Sequence, residues 1–235
     1  NGLPDIDTFR TLDLKDGSSR IGMQLYFGTS IYFYVNNKSY FHSTSTSINQ
    51  WYNLVYVFDG SGATNSDKLK MYLNGTELTG GTYSGTIDTA IGAFTSSMTS
   101  NIGRIPSTSY FNGKISNLSI FDEALTSTEV MKLYSNGMPQ DLTNFTPAPV
   151  AFYPLGSNSF WNGSQWTVRD IIGSNDGTGQ NIGIDGLVGD VPRSEANGTG
   201  TNMDVPSNLE GSTKWSDNNS WSINMSESSR VENTP

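Results

Sequence analysis

Trp51-Tyr52-Asn53-Leu54-Val55-Tyr56-Val57-Phe58-Asp59-Gly60, followed shortly by Lys68-Leu69-Lys70-Met71-Tyr72-Leu73-Asn74-Gly75, decides how the rest of the chain is read. The first run has a period of two, with Tyr52, Leu54, Tyr56 and Phe58 on one face and Trp51, Val55 and Val57 on the other. A strand that is apolar on both faces is expected near the middle of a sandwich. The second run places Leu69, Met71 and Leu73 on one side. It ends in Asn74-Gly75, a pair that tolerates the positive φ a two-residue hairpin turn demands.

The same grammar extends in both directions. Upstream, Thr11 to Leu14 and Ile21 to Tyr26 alternate around the turn Asp16-Gly17-Ser18-Ser19, and Ile31-Tyr32-Phe33-Tyr34-Val35 returns through Asn36-Asn37 to Tyr40-Phe41. Downstream, Ser100 to Arg104, Phe111 to Ile115 and Leu118 to Phe121 complete a set of short strands. One helix follows. Thr126 and Glu129 form a capping box, Val130, Leu133 and Tyr134 make an apolar stripe with Met131 beside it, and Gly137 and Pro139 end it, with Gly137 expected at the C′ position.

Near Thr146-Pro147-Ala148-Pro149 the composition shifts, and from Leu155 onward Gly, Asn, Ser and Asp dominate. Such a segment buries too little to fold alone. It carries the large side chains Trp161, Trp166, Trp215 and Trp221, which are expected to act as docking anchors. The expected fold is therefore all-β: an antiparallel β-sandwich of jelly-roll type over residues 1–146, with one short helix. Residues 147–235 are expected to form an extended, loop-rich C-terminal arm or a partial second unit.

Of the 235 residues, 34% are hydrophobic and only 15% charged, which argues against a helical bundle. The formal net charge of −9 disfavours nucleic acid and anionic lipid as partners. There is no cysteine, so neither disulfides nor thiolate metal sites arise. No apolar stretch reaches the roughly 18 residues a membrane-spanning helix needs.

Three stretches together resemble the laminin G-like, or concanavalin A-like, jelly-roll family: Trp51 to Gly60, Leu69 to Gly75, and Ile102-Gly103 with Phe111 to Phe121 and the helix Ser127 to Tyr134. The resemblance covers roughly residues 10 to 138. The family's opening strand is suggested not at the start of the chain but by Val150 to Gly156 and Asp170 to Thr178, so either the chain is a fragment of a longer protein with tandem units or this segment supplies strands to the same sandwich or to a neighbour, and the second, alone or with the first, is expected. The combination with a Trp-bearing, Gly- and Asn-rich tail is also similar in style to virion proteins of marine bacteriophages.

Hydrolases of the family carry Glu-x-Asp-x-Glu on one strand face, a spacing that does not occur here. Asp122-Glu123 falls in the turn before the helix, His42 is the only histidine, and no serine lies in a nucleophile-elbow context. The resemblance implies calcium at a loop rim, and Asp59, Asn65 and Asp67 offer hard oxygen ligands on one loop. Tyr26, Tyr32, Tyr34, Tyr40 and Tyr52 are candidates to stack sugar rings, with sandwich core as the other reading. These readings predict a non-enzymatic virion structural or attachment protein, a capsid decoration or fibre component, whose partners are neighbouring subunits. The alternative is a carbohydrate-binding or adhesion module on a cell surface, calcium-assisted. Either places the chain on a virion surface or outside the cell, without nucleic acid, membrane insertion or a cofactor other than calcium.

Overall fold

The computed structural model describes residues 8–26, 28–47, 50–105, 109–111, 113–156, 158–186, 221–224 and 230–233. The chain divides into two units, Asn1–Pro192 and Arg193–Pro235.

The first unit opens with four antiparallel strands, β1 (Thr8–Asp16), β2 (Ser19–Tyr26), β3 (Ser30–Val35) and β4 (Lys38–Ser43). Gly17 (φ 56°) and Asn36 (φ 52°) take left-handed conformations in the first and last of the joining turns, where glycine and asparagine are the least strained residues. A second sheet follows, made of β5 (Leu54–Phe58), β6 (Leu69–Leu73) and β7 (Thr76–Glu77), with a helical turn α1 (Asn65–Lys68) leading into β6. Strands β8 (Thr82–Tyr83) and β9 (Thr99–Ile102) return to the first sheet, whose order is β8-β4-β3-β2-β1-β9.

Alternation builds the core between the sheets. Ile31, Phe33 and Val35 of β3 meet Leu69 and Met71 of β6, with Leu54, Tyr56 and Phe58 of β5 packed alongside. The order of the second sheet is β5-β6-β7, so β5 is hydrogen-bonded on one side only among the described residues and is not the central strand of its sheet. Its two apolar faces are nevertheless both used, because its sheet is the middle layer. Beyond it lies α2 (Ser127–Tyr134), whose fully buried Val130 packs with Val57, Tyr72 and Leu125, and with Val55, Phe121 and Leu133 around them.

The capping box of α2 is present in both directions, Thr126 accepting from the Glu129 N–H and Glu129 from the Thr126 N–H. Its exit differs from expectation. The helix turns left-handed at Ser135 (φ 43°), two residues before the expected glycine, and Ser135, Asn136 (φ 54°) and Gly137 (φ 84°) form a 3-10 turn.

Between the second sheet and α2 run β10 (Arg104–Ile105), β11 (Ser109–Tyr110) and β12 (Leu118–Ile120). Strand β13 (Ala151–Tyr153), downstream of α2, pairs antiparallel with β12 through Leu118↔Tyr153 and Ile120↔Ala151, and its Phe152 is 1% exposed. Strand β13 thus lies beyond the composition shift at 146/147 and in the same unit as β12. Strands β14 (Phe160–Trp161), β15 (Trp166–Val168) and β16 (Gly177–Thr178) form a small sheet of their own in the same unit. In the second unit β17 (Trp221–Asn224) and β18 (Arg230–Asn233) form a hairpin with Ile223 opposite Val231.

Candidate functional site: an aromatic stripe on the outward sheet face

Because side chains alternate along β3, the strand that buries Ile31, Phe33 and Val35 turns Tyr32 and Tyr34 to the opposite, outward face of the six-stranded sheet. Register brings the neighbours into line. Tyr32 stands opposite Phe41 on β4 and opposite Gln24 on β2, and Tyr34 stands opposite Gly22. The rings pack on one another: Tyr32 lies 5.1 Å from Tyr26, 4.8 Å from Phe41 and 5.8 Å from Tyr34, the last nearly parallel at 9°. All four aromatics are half-buried, so part of each ring still faces outward. Burial, with Tyr26 beside it, pushes the Tyr32 phenol up, so it stays neutral across the physiological range.

Arg20 closes the β1 side of the stripe. Its guanidinium lies 5.9 Å over the Tyr34 ring, and its Nε donates to Asp13 Oδ1 at 2.8 Å. Asp13 and Arg20 are 5% and 24% exposed at their side chains, so the carboxylate fixes the plane of the guanidinium above the ring.

Three of the five tyrosines considered for stacking sugars are therefore brought together; Tyr52 is not, and neither is Tyr40. It faces inward opposite Phe33, is 2% exposed, stacks on Tyr83 at 4.4 Å and donates its hydroxyl to Leu78 O. Adjacent residues of one strand take opposite faces, and here Phe41, not Tyr40, joins the stripe. Phe41 went unread because its face depends on the register set across the Asn36-Asn37 turn. Tyr52 is apart from the stripe, accepting from the Ser47 N–H and donating to Gln50.

The residues expected to hold calcium are each hydrogen-bonded to the chain around them. Asp67 Oδ2 accepts from the N–H and hydroxyl of Thr64, capping α1, and Asp59 Oδ1 accepts from the N–H and hydroxyl of Ser61. These bonds hold both carboxyls below the usual carboxylate range. Asn65 spends both ends of its amide on the chain, donating to Gly85 O and accepting from the Ile87 N–H. Among the described residues no three His, Cys, Asp or Glu side chains gather into a metal-binding group.

Two of the four tryptophans expected to act as docking anchors face each other. Trp161 and Trp166 stand opposite each other across β14 and β15 with rings edge to face at 5.9 Å, and Trp166 Nε1 donates to Gly183 O. They serve the small sheet they lie in. Trp221 begins β17 opposite Asn233, and Trp215 lies outside the described residues.

Asp170 is a buried polar group that sequence reasoning passed over. At 4% exposure, its carboxylate accepts from the N–H groups of Phe152, Ile172, Gly173 and Asn175. Burial opposes its charge, but those four donors outweigh it and hold the carboxyl below the usual range. The signal was present in the turn residues Gly173, Asn175 and Asp176, whose spacing suits an Asp side chain folding back on its own loop.

Two antiparallel sheets enclosing one core define a β-sandwich. The family model described as the concanavalin A-like lectin/glucanases superfamily matches residues 5–131, more than half of the chain, and the chain belongs to that superfamily. Searches of the curated proteins and of the solved structures found no match.

Proposed function

We propose that this chain is a non-catalytic carbohydrate-binding or adhesion module acting outside the cell, and that its ligand surface is the Tyr26, Tyr32, Tyr34 and Phe41 stripe. The observation that carries the reading is the packing of these four rings on the face turned away from the core. Amphipathic aromatics in that position stack against the apolar faces of pyranose rings while their hydroxyls remain wet. The absence of catalysis is supported by the lining of the face. Glycoside hydrolysis uses two carboxylates across the scissile bond, and the carboxylate beside the stripe, Asp13, is paired with Arg20. The virion assembly role expected from composition drew on tryptophans in the arm as free anchors, and the described pair, Trp161 and Trp166, pack on each other. Calcium has no part in this proposal.

Affinity electrophoresis through gels containing soluble polysaccharides tests it. The chain is expected to be retarded by at least one neutral polysaccharide and Tyr32→Ala to run free in that gel. Equal retardation of the variant would contradict the reading.

A further inference from the structure

Resting on that reading of the outward face, we propose that Arg20 selects the glycan, its guanidinium donating to two neighbouring hydroxyls of an uncharged pyranose stacked on Tyr32, and that Asp13 positions it. Asp13 stands opposite Gly22 on β2, and Gly22 stands opposite Tyr34 on β3. Gly22 has no side chain to interpose. Arg20, two residues before it and therefore on the same face, reaches both flanks: its Nε is 2.8 Å from Asp13 Oδ1 and its guanidinium carbon is 5.9 Å from the centre of the Tyr34 ring. Tyr34 and Tyr32 are nearly parallel with centres 5.8 Å apart, so a guanidinium over the first ring stands beside a sugar stacked on the second. The Arg20 side chain is 24% exposed against 5% for Asp13, so the carboxylate is sheltered while the guanidinium still meets solvent.

Stacking holds a pyranose without telling one from another, and discrimination falls to polar groups fixed in direction at the ring's edge. A guanidinium is a planar fork of five N–H donors, of which the bond to Asp13 occupies one. Parallel N–H groups along one edge of the fork match two adjacent hydroxyl oxygens. The carboxylate on one side and the Tyr34 ring on the other hold that fork in one plane, which lowers the ordering cost of binding. The charge of the ligand follows from the same pair. Asp13 already answers the positive charge of Arg20, and the chain carries a formal net charge of −9, so a polyanion gains little from Arg20 and is repelled at longer range. A neutral glycan loses nothing to that field.

Calorimetric titration of the full chain with cellohexaose, maltohexaose, mannohexaose and the C6-oxidised uronate form of each tests the assignment, alongside Arg20→Lys, Asp13→Asn, their double variant and Tyr32→Ala, with a thermal melt of every protein. Arg20→Lys keeps the charge opposite Asp13 but loses the fork, and is expected to lose roughly tenfold or more in affinity for the neutral hexaose that the wild type binds best, with Tm unchanged. Asp13→Asn is expected to weaken binding in the wild-type background and to change nothing further beside Arg20→Lys, as a residue acting through Arg20 must. Unchanged affinity in Arg20→Lys, or its failure to fold, while Tyr32→Ala loses binding overturns the role of Arg20 and leaves the face itself in place. Additive losses in the double variant, or failure of Asp13→Asn to fold, overturn the positioning role of Asp13. Tighter binding of a uronate form than of its neutral parent overturns the neutral ligand. Unchanged affinity in Tyr32→Ala, or no binding of any of the six by the wild type, overturns the reading of the face and the Arg20 assignment with it.

Discussion

Asp170 shows how much one carboxylate can organise. Its four backbone donors come from both sides of the β13 to β16 region, with Phe152 on one side and Ile172, Gly173 and Asn175 on the other. Removing the acceptor in Asp170→Ala leaves those N–H groups unpaired in a buried setting and is expected to cost about 3 kcal/mol in chemical denaturation. The sign of its pH dependence follows from its lowered pKa. A carboxyl that is more acidic folded than unfolded contributes its full stability above the unfolded value of about 3.9 and loses it as pH falls through the folded value. Urea midpoints measured from neutrality into acid should therefore fall in the wild type, and fall less steeply in Asp170→Asn. Identical slopes would show that the carboxylate's charge does not matter.

At the scale of elements, the turn Asn74-Gly75 ties two layers together. Both residues have positive φ, 51° and 76°, and a Cβ on Gly75 would lie 2.9 Å from Tyr134 Cδ1 on α2. Gly75→Ala therefore strains the turn and pushes on the helix at once, and is expected to cost about 1–3 kcal/mol, measured as a shift in thermal midpoint. Thr126→Ala, which removes one end of the capping box, should cost about 1 kcal/mol by the same measure. Both features were legible in sequence, because a turn pair and a capping box are local chemistry. What local chemistry does not carry is neighbourhood. The period of two in Trp51 to Phe58 correctly separates Leu54, Tyr56 and Phe58 from Val55 and Val57, yet says nothing of which strands flank β5. Helix α1 is only four residues long, too short to show a helical period, so its capping Asp67 reads as a loop ligand. Tyr40 and Phe41 exchange roles for the same reason, since register across a turn decides which of two adjacent aromatics faces inward.

For the whole molecule, a buried strand of the first unit comes from beyond the helix. Ala151 and Phe152 are 6% and 1% exposed, and they are held by β12 and by Asp170. A chain stopped at Phe145 lacks this strand, and Phe152→Ala within the full chain should already cost about 3–5 kcal/mol. The truncated chain is expected to lose its cooperative melt, and a truncated chain melting as the full one does would show that β13 is dispensable. The sequence suggested that Val150 to Gly156 was a displaced opening strand, and in the structure Ala151–Tyr153 pairs with β12 in a two-stranded sheet. The aromatic stripe was legible only in part. Tyr26, Tyr32 and Tyr34 announce themselves as a cluster of like residues, whereas Gln24 and Phe41 join them only through cross-strand register.

The most direct test of the account asks where a glycan sits. Ring resonances of a chain labelled at Tyr, Phe and Trp can be followed by NMR during titration with oligosaccharides of a neutral polysaccharide that retards the chain. The account predicts that Tyr26, Tyr32, Tyr34 and Phe41 shift together and saturably, while Tyr72, Tyr134, Trp161 and Trp166 stay in place. Saturable shifts confined to those last four rings, with the stripe unmoved, would contradict it.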